Sequence, residues 1–450
     1  MGTPRRGVIR AFRSRAVLFV AFAFAVMADP VSSVAYAIEA ALRALGGNLS
    51  LLVVTMTVVV GIIGVVVVNY QQIVTRYPRG GGAATATDEA FGPGWAFLPL
   101  GALIVDFVLT ISISVAAASS ALIAYVPALA PARVVIALVL VSGVAALTWF
   151  GHGGRVIFAS MTLAFLAVTT VLLVSSFGTP AAPSLATGAT SLWDLARVAS
   201  VLVAFPVGMA LATGVEAPSS AIAQLGQLDD DGRRSFGRWT LWLTLAIVGA
   251  VTIGLTAAAV RLGVGVPPPD STQLAELARR SAPTVVFGLF QLTSAILLLA
   301  AASSSFQAGP GLLKALAGGP DGRGVLPVRF GRTNHHHTPV SGVVVFLFAA
   351  GMAVIAAGGR DQELVLFYAV AVFVSFFMGL AAMARLDAAE GRRRRLVLNL
   401  IGLALVGFTL TVNLARGLPI VSLVVSVAIA LILHRLWVGA GRPSSLNVAD

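Results

Sequence analysis

The chain has no cysteine and very little charge. Zero cysteines exclude disulfides, zinc–thiolate centres and iron–sulfur clusters. Charged residues make up only 11%, where a soluble domain carries about 25%. Acidic residues are scarcest, 18 against 30 Lys and Arg. Of the 450 residues, 58% are hydrophobic, and the mean hydropathy is +0.94. A water-soluble core of this size cannot bury so much apolar surface. The solvent is therefore lipid, and the lipid bilayer is the first expected partner. There is also no phosphate loop, metal-ligand spacing or nucleophile motif. The expectation is a non-enzyme with no catalytic residues, no metal site and no cofactor beyond a transported ion.

What the chain does have is apolar runs of about 18–25 residues, each long enough to cross a bilayer as a helix. The fold class read from them is an all-α membrane protein. Hydropathy places the spans near 15–45, 49–71, 92–125, 131–150, 155–176, 192–226, 238–262, 284–306, 339–357, 363–384, 396–414 and 418–438. With the N-terminus in the cytoplasm, 22 of the 30 Lys and Arg fall inside and 8 outside. The positive-inside rule then puts both termini in the cytoplasm. Topology accounts for the net charge of +12, and no nucleic acid is expected. The first apolar segment has a basic flank but no A-x-A site, so it reads as a retained span.

Several connections stand out. "RYPRGGGAATATDEAFG" (76–92) follows the second span. The longest inside loop, 307–338, carries "NHHHTP". Adjacent histidines lack the spacing that converges on one metal ion, so this run reads as a solvated loop. "VGVPPPDSTQLAELARRSAP" (264–283) reads as an extracellular helical lid.

Ionisable residues inside spans are costly and mark function. Asp29, Asp106 and Glu216 are such residues, with Glu39 and Asp194 nearer the span ends. Asp29 precedes Pro30, which lacks an N–H and interrupts the helical ladder. "FPVGMALATGVEAPSS" (205–220) repeats the pattern in the sixth span. Two broken helices, each opening a block of five, are the mark of an inverted-repeat secondary transporter. The expected breaks lie near 29–33 and 206–215. In the third span Asp106, Thr110 and Ser114 share a face at i, i+4, i+8. Tyr368 is the polar tip of an aromatic run in the tenth span.

The segments "DPVSSVAYAIEA", "YPRGGGAATATDEAFGPGWAF", "DFVLTISISVAAA", "TGVEAPSS" and "SSSFQAGPGLLKAL" resemble, in order, the amino acid–polyamine–organocation (APC) superfamily. More narrowly they resemble its KUP-type potassium:proton symporters and related bacterial amino acid permeases. The resemblance covers nearly the whole chain. It implies a LeuT-like five-plus-five inverted repeat with two extra helices, in one transporter domain spanning 1–450. Within it, 1–14 and 439–450 are cytoplasmic tails, 15–176 and 192–384 the two repeats, and 396–438 helices 11 and 12. It implies that the aligned positions Asp29, Tyr36, Thr110, Ser114, Thr213, Glu216 and Tyr368 contribute to potassium binding and proton coupling. Ser33 joins the expected substrate-binding set, and Asp106 and Glu216 are the expected proton-coupling residues, because a desolvated carboxyl can carry a proton through the cycle. The resemblance also implies a multi-pass protein of the cell (plasma) membrane and a homodimer.

Some positions depart from the KUP-type pattern. Phe107 stands where that branch has tyrosine, and Pro30 where it has alanine. The cytosolic C-terminal domain that helps the branch dimerise is missing. The fifth span lacks the lysine that some proton-coupled amino acid permeases carry. A dehydrated monovalent cation needs several oxygens in place of water. Asp29, Tyr36, Thr110, Ser114, Thr213 and Tyr368 form such an inventory. An amino acid would instead use the N–H groups of half-helix starts for its carboxylate, and the same breaks supply those. The sequence leaves both substrates open, with the oxygen-rich inventory favouring the ion.

Overall fold

The computed structural model describes residues 15–151, 154–183, 194–318 and 324–443. The tails expected at 1–14 and beyond 443, with Arg323 of the inside charge set, lie outside these residues. The described residues form α1 (Arg15–Val26), α2 (Ala28–Ser32), α3 (Val34–Ala44), α4 (Leu52–Arg76), α5 (Gly82–Phe91), α6 (Phe97–Tyr125), α7 (Arg133–Trp149) and α8 (Arg155–Gly178). There follow α9 (Leu195–Gly208), α10 (Ala217–Ala221), α11 (Asp230–Arg261), α12 (Gln273–Ser281), α13 (Thr284–Leu316), α14 (Val340–Ala356), α15 (Asp361–Ala389), α16 (Arg393–Ala415) and α17 (Ile420–Gly439).

Among the described residues, ten helical segments are long and apolar enough to cross a membrane, and α1 and α14 are shorter apolar helices. With α1–α3 as the first span and α14 as the ninth, these match the twelve expected spans. The third, sixth and tenth spans bury 78%, 67% and 76% of their apolar windows, against 28% for the fourth, fifth, eleventh and twelfth, and the first span is buried along most of 28–45. The outer spans turn their apolar faces to lipid. In lipid, helices associate through close packing and hydrogen bonds, so small residues mark the contacts. Gly101 on α6 shows this. A Cβ there would sit 2.5 Å from the Ser426 carbonyl of α17.

The two interruptions differ in kind. In the first span only Met27 and Ser33 depart from regular helix, and the ladder continues through Val31 N–H to Met27 O (3.0 Å) and Ser33 N–H to Asp29 O (3.3 Å). This is milder than the unwound stretch expected over 29–33. The serine hydroxyls explain it: Ser32 and Ser33 both donate to the Asp29 carbonyl, at 2.8 and 3.2 Å. Serine back-bonding of this kind bends a helix without opening it. The sixth span breaks fully. After α9, which contains Pro206, a 3₁₀ turn covers Met209–Ala212. Thr213 is then extended and Gly214 left-handed at φ +71. Asn413 on α16 donates to the Pro206 carbonyl at 3.0 Å, supplying from outside a partner for backbone near the break.

Three local expectations change. Residues 76–92, a stretch of small and polar residues in the sequence, contain the helix α5. The eighth span runs ten residues past its expected end at 306, to Leu316, with Pro310 inside it. The seventh begins earlier, at Asp230, because Asp229 caps it by accepting from Gly232 N–H (2.9 Å) and two acidic residues in the first turn complement the helix dipole.

Candidate functional site

The two interruptions meet. A Cβ on Gly214 would lie 2.7 Å from Asp29 Oδ2 and 2.9 Å from Pro30 Cδ. Only a residue without a side chain fits there, and its positive φ is one that L side chains rarely adopt. The left-handed turn of the sixth span is thus pressed against the carboxylate of the first.

Around this contact the expected residues gather. Thr110 on α6 donates to the Tyr368 hydroxyl of α15 at 3.2 Å. Asp106, one turn before Thr110, also lies beside Tyr368. The Tyr36 hydroxyl sits by Ser33 and Thr213. Thr213 itself donates to the Ala210 carbonyl at 2.6 Å. Asp106 feels the charges of Glu216 and Asp29, and Asp29 that of Glu216. Ser33, Tyr36, Asp106, Thr110, Ser114, Thr213, Glu216 and Tyr368 are buried, and Asp29 is half-buried. Ser114 is placed by its shared face with Thr110; its hydroxyl meets no protein partner.

The hydrogen-bond inventory of this cluster is unusual. Sixteen buried side-chain atoms among the described residues lack a partner, and six of them are Asp29 Oδ1, Tyr36 Oη, Tyr70 Oη, Asp106 Oδ1, Ser114 Oγ and Glu216 Oε2. Native proteins satisfy about 90% or more of buried polar groups, and each failure costs about 1–3 kcal/mol. Five of these, on Asp29, Tyr36, Tyr70, Asp106 and Glu216, lie together, and they describe a site built for something else to complete. Among the described residues, no Lys or Arg figures among the groups acting on its carboxylates. Three carboxyl groups in so dry a place are either neutralised by protons or keep their charge with a cation among them.

Tyr70 and Ser375 belong to this group and escaped the sequence reading. Tyr70 on α4 lies beside Ser375 of α15 and feels Glu216 and Asp106. A cavity of about 70 Å³ lies against Tyr70, Glu216, Ser219 and Ser375, and its wall reaches Gly81 and Gly82. The sequence does hold a signal: "VVNYQQ" places a tyrosine in an otherwise aliphatic span. The cavity also explains the glycine run. A Cβ on Gly80 would lie 2.9 Å from the Ala223 methyl, and one on Gly82 3.1 Å from Ser219 Oγ. The loop before α5 therefore packs directly on the end of the sixth span.

Polar contacts close both ends of the bundle. At the α5 end Arg76 pairs with Glu89 and, at 2.6 Å, with Glu390 at the end of α15, and the Tyr77 hydroxyl donates to Glu89 at 2.6 Å. The Arg76 guanidinium holds the Glu89 carboxyl below the usual carboxylate range. At the other end the expected helical lid is α12. Thr272 caps it, accepting from Ala275 N–H at 3.2 Å. Its first N–H, from Gln273, donates to Glu39 at 2.9 Å, and Arg43 donates to the same carboxylate at 2.8 Å. Glu39 is thus a fastening between the first span and the lid. Asp194 is a helix cap, accepting from Ala196 N–H at 3.3 Å.

Known proteins resemble the chain in both sequence and fold. A family model described as amino acid permease matches residues 18–438. A curated relative, the potassium transporter KimA of Bacillus subtilis (strain 168), is 28% identical over 366 residues, covering 79% of this chain. The chain spans 59% of that relative's length. The crystal structure of a mutant manganese transporter from Eremococcus coleocola superposes with a TM-score of 0.52 at 15% identity, covering 94% of each chain. That likeness concerns the fold alone. Because the family model matches residues 18–438, which hold every residue of the site, this chain belongs to the amino acid permease family of the APC superfamily.

Proposed function

We propose that the chain is a proton-coupled potassium importer of the cell membrane, with both termini in the cytoplasm. One observation carries the reading: buried, unpartnered oxygens converge where the two interruptions meet, with no basic side chain acting on the carboxylates. Oxygens of this kind replace the water of a dehydrated monovalent cation. In this reading Asp29, Ser33, Tyr36, Thr110, Ser114, Thr213 and Tyr368 bind the ion. Asp106 and Glu216 exchange protons, and Tyr70 and Ser375 line the way past Glu216. The cavity there, about 70 Å³, holds on the order of two waters at roughly 30 Å³ each. The relative's name, potassium transporter, agrees.

Residues 15–176 and 192–384 are in this account the two inverted repeats, rocking about the midplane site. A proton-coupled amino acid permease is the second reading. It is favoured by the family description and by backbone N–H groups at the Thr213–Glu216 turn. Uptake into proteoliposomes under a pH gradient separates the two. We expect labelled rubidium, standing in for potassium, to enter with protons and Asp29→Asn to abolish its entry. Uptake of an amino acid without rubidium supports the second reading.

A further inference from the structure

The histidine run that the transport site does not use forms a second polar cavity. Residues 333–339 are an ordered turn built on Asn334. Its side-chain amide donates to the Trp149 carbonyl at the end of α7 (2.7 Å), and its Oδ1 accepts from His336 N–H (2.9 Å) and Thr338 N–H (3.0 Å). The Thr338 hydroxyl donates to the Thr148 carbonyl at 3.1 Å, and Thr333 pairs with Pro339 across the base. His337 is held left-handed at φ +61, a conformation a non-glycine residue keeps only when its surroundings impose it.

This turn closes a cavity of about 290 Å³ against α13. Its polar lining includes Lys314 and Gln307 from α13, together with His337 and Thr338 from the turn. No carboxylate is among the described residues of that wall. Arg329 and Arg332, in the segment leading to the turn, are exposed. On the lipid side the neighbouring faces of α7 and α14 are apolar and exposed, with Leu147, Phe150, Val344 and Phe348 each more than half accessible. A cationic cavity therefore opens where the apolar belt meets the arginine-rich end.

We propose that this cavity binds a phosphate-bearing anionic group, with Lys314 as its charge partner and Gln307 and His337 as further polar contacts. Its position at the edge of the belt makes the headgroup of an anionic phospholipid the first candidate, and soluble phosphate is the other source of the same chemistry. Basic side chains just outside the hydrocarbon are the usual means of holding such headgroups.

The test uses the full chain purified in detergent, with its thermal unfolding midpoint followed during three titrations. These use phosphatidylglycerol, phosphatidylcholine and inorganic phosphate. We expect phosphatidylglycerol to raise the midpoint saturably and more than phosphatidylcholine. Lys314→Gln should weaken that apparent affinity about tenfold, and Lys314→Arg should preserve it. The lysine is exposed, so both variants should start from the wild-type midpoint. His337→Ala is a second probe of the wall, and should weaken the response of the lysine-containing protein. Stabilisation by inorganic phosphate with the same dependence on Lys314 keeps the site and assigns it to a soluble ligand. Equal responses to both lipids with none to phosphate, or a Lys314→Gln protein that responds like wild type, overturns the proposal.

Discussion

Asp29 and Gly214 are the closest meeting point of the two interrupted spans, and each constrains the other. Substituting Gly214→Ala would force a Cβ to within 2.7 Å of a carboxylate oxygen at a φ that costs of order 1–3 kcal/mol for a non-glycine residue. The expected outcome is a lowered unfolding midpoint and loss of uptake; wild-type uptake by Gly214→Ala would show that the contact plays no part in transport. In the proposed site Thr110 is one neutral ligand among several, and its hydroxyl donates to Tyr368. Removing a single neutral hydrogen-bonding group costs about 0.5–1.5 kcal/mol, so Thr110→Ala should raise the KM for potassium about threefold to tenfold and leave kcat close to wild type. A collapse of kcat would instead give Thr110 a role in the coupling step.

At the scale of elements, the spans are legible in the sequence because a run of twenty apolar residues has one stable solution in lipid. The full break of the sixth span is legible too, since "TGVEAPSS" combines glycine with proline. The sequence overstates the first break: Pro30 announces a lost hydrogen bond, but the hydroxyls of Ser32 and Ser33 repair much of the turn. Helix α5 is hidden because "GGAATATDEAF" has no apolar stripe, and its docking depends on Arg76, Tyr77 and Glu390, which are distant or separate in sequence. That docking gives a pH prediction. Glu89 titrates below its unfolded value, so its stabilising contribution is complete above the unfolded pKa of about 4.3. It is lost as pH falls through the lower folded value. The protection of the amides over 82–91, taken relative to their intrinsic exchange rates at each pH, should hold from pH 5 to 8 and fall only below about pH 4; loss of protection near pH 6 would assign the docking of α5 to another group. At the opposite end, Glu39 fastens α12. The chain has no cysteine, so Leu274→Cys, at a buried position of α12, would be a unique label site. Glu39→Gln in that background should speed its reaction with an impermeant thiol reagent, and an unchanged rate would mean the lid is held elsewhere.

At the scale of the whole molecule, the sequence reveals a family and an architecture more readily than a substrate. Carbonyls, hydroxyls and carboxylates at two helix breaks serve an ion or a zwitterion equally well on paper. The geometry adds that these oxygens converge and many lack partners, which no spacing along the chain could have shown. It also adds Tyr70 and Ser375, brought beside Glu216 by packing between α4 and α15. The central claim is that Asp29 supplies charge to a dehydrated cation at this meeting point. The most direct measurement is potassium-limited growth of a bacterial strain lacking its own potassium uptake, expressing wild type or Asp29→Asn at matched membrane levels. The account predicts rescue by the wild type and none by Asp29→Asn; failure of the wild type to rescue, together with proton-driven uptake of an amino acid by the same protein, would contradict it.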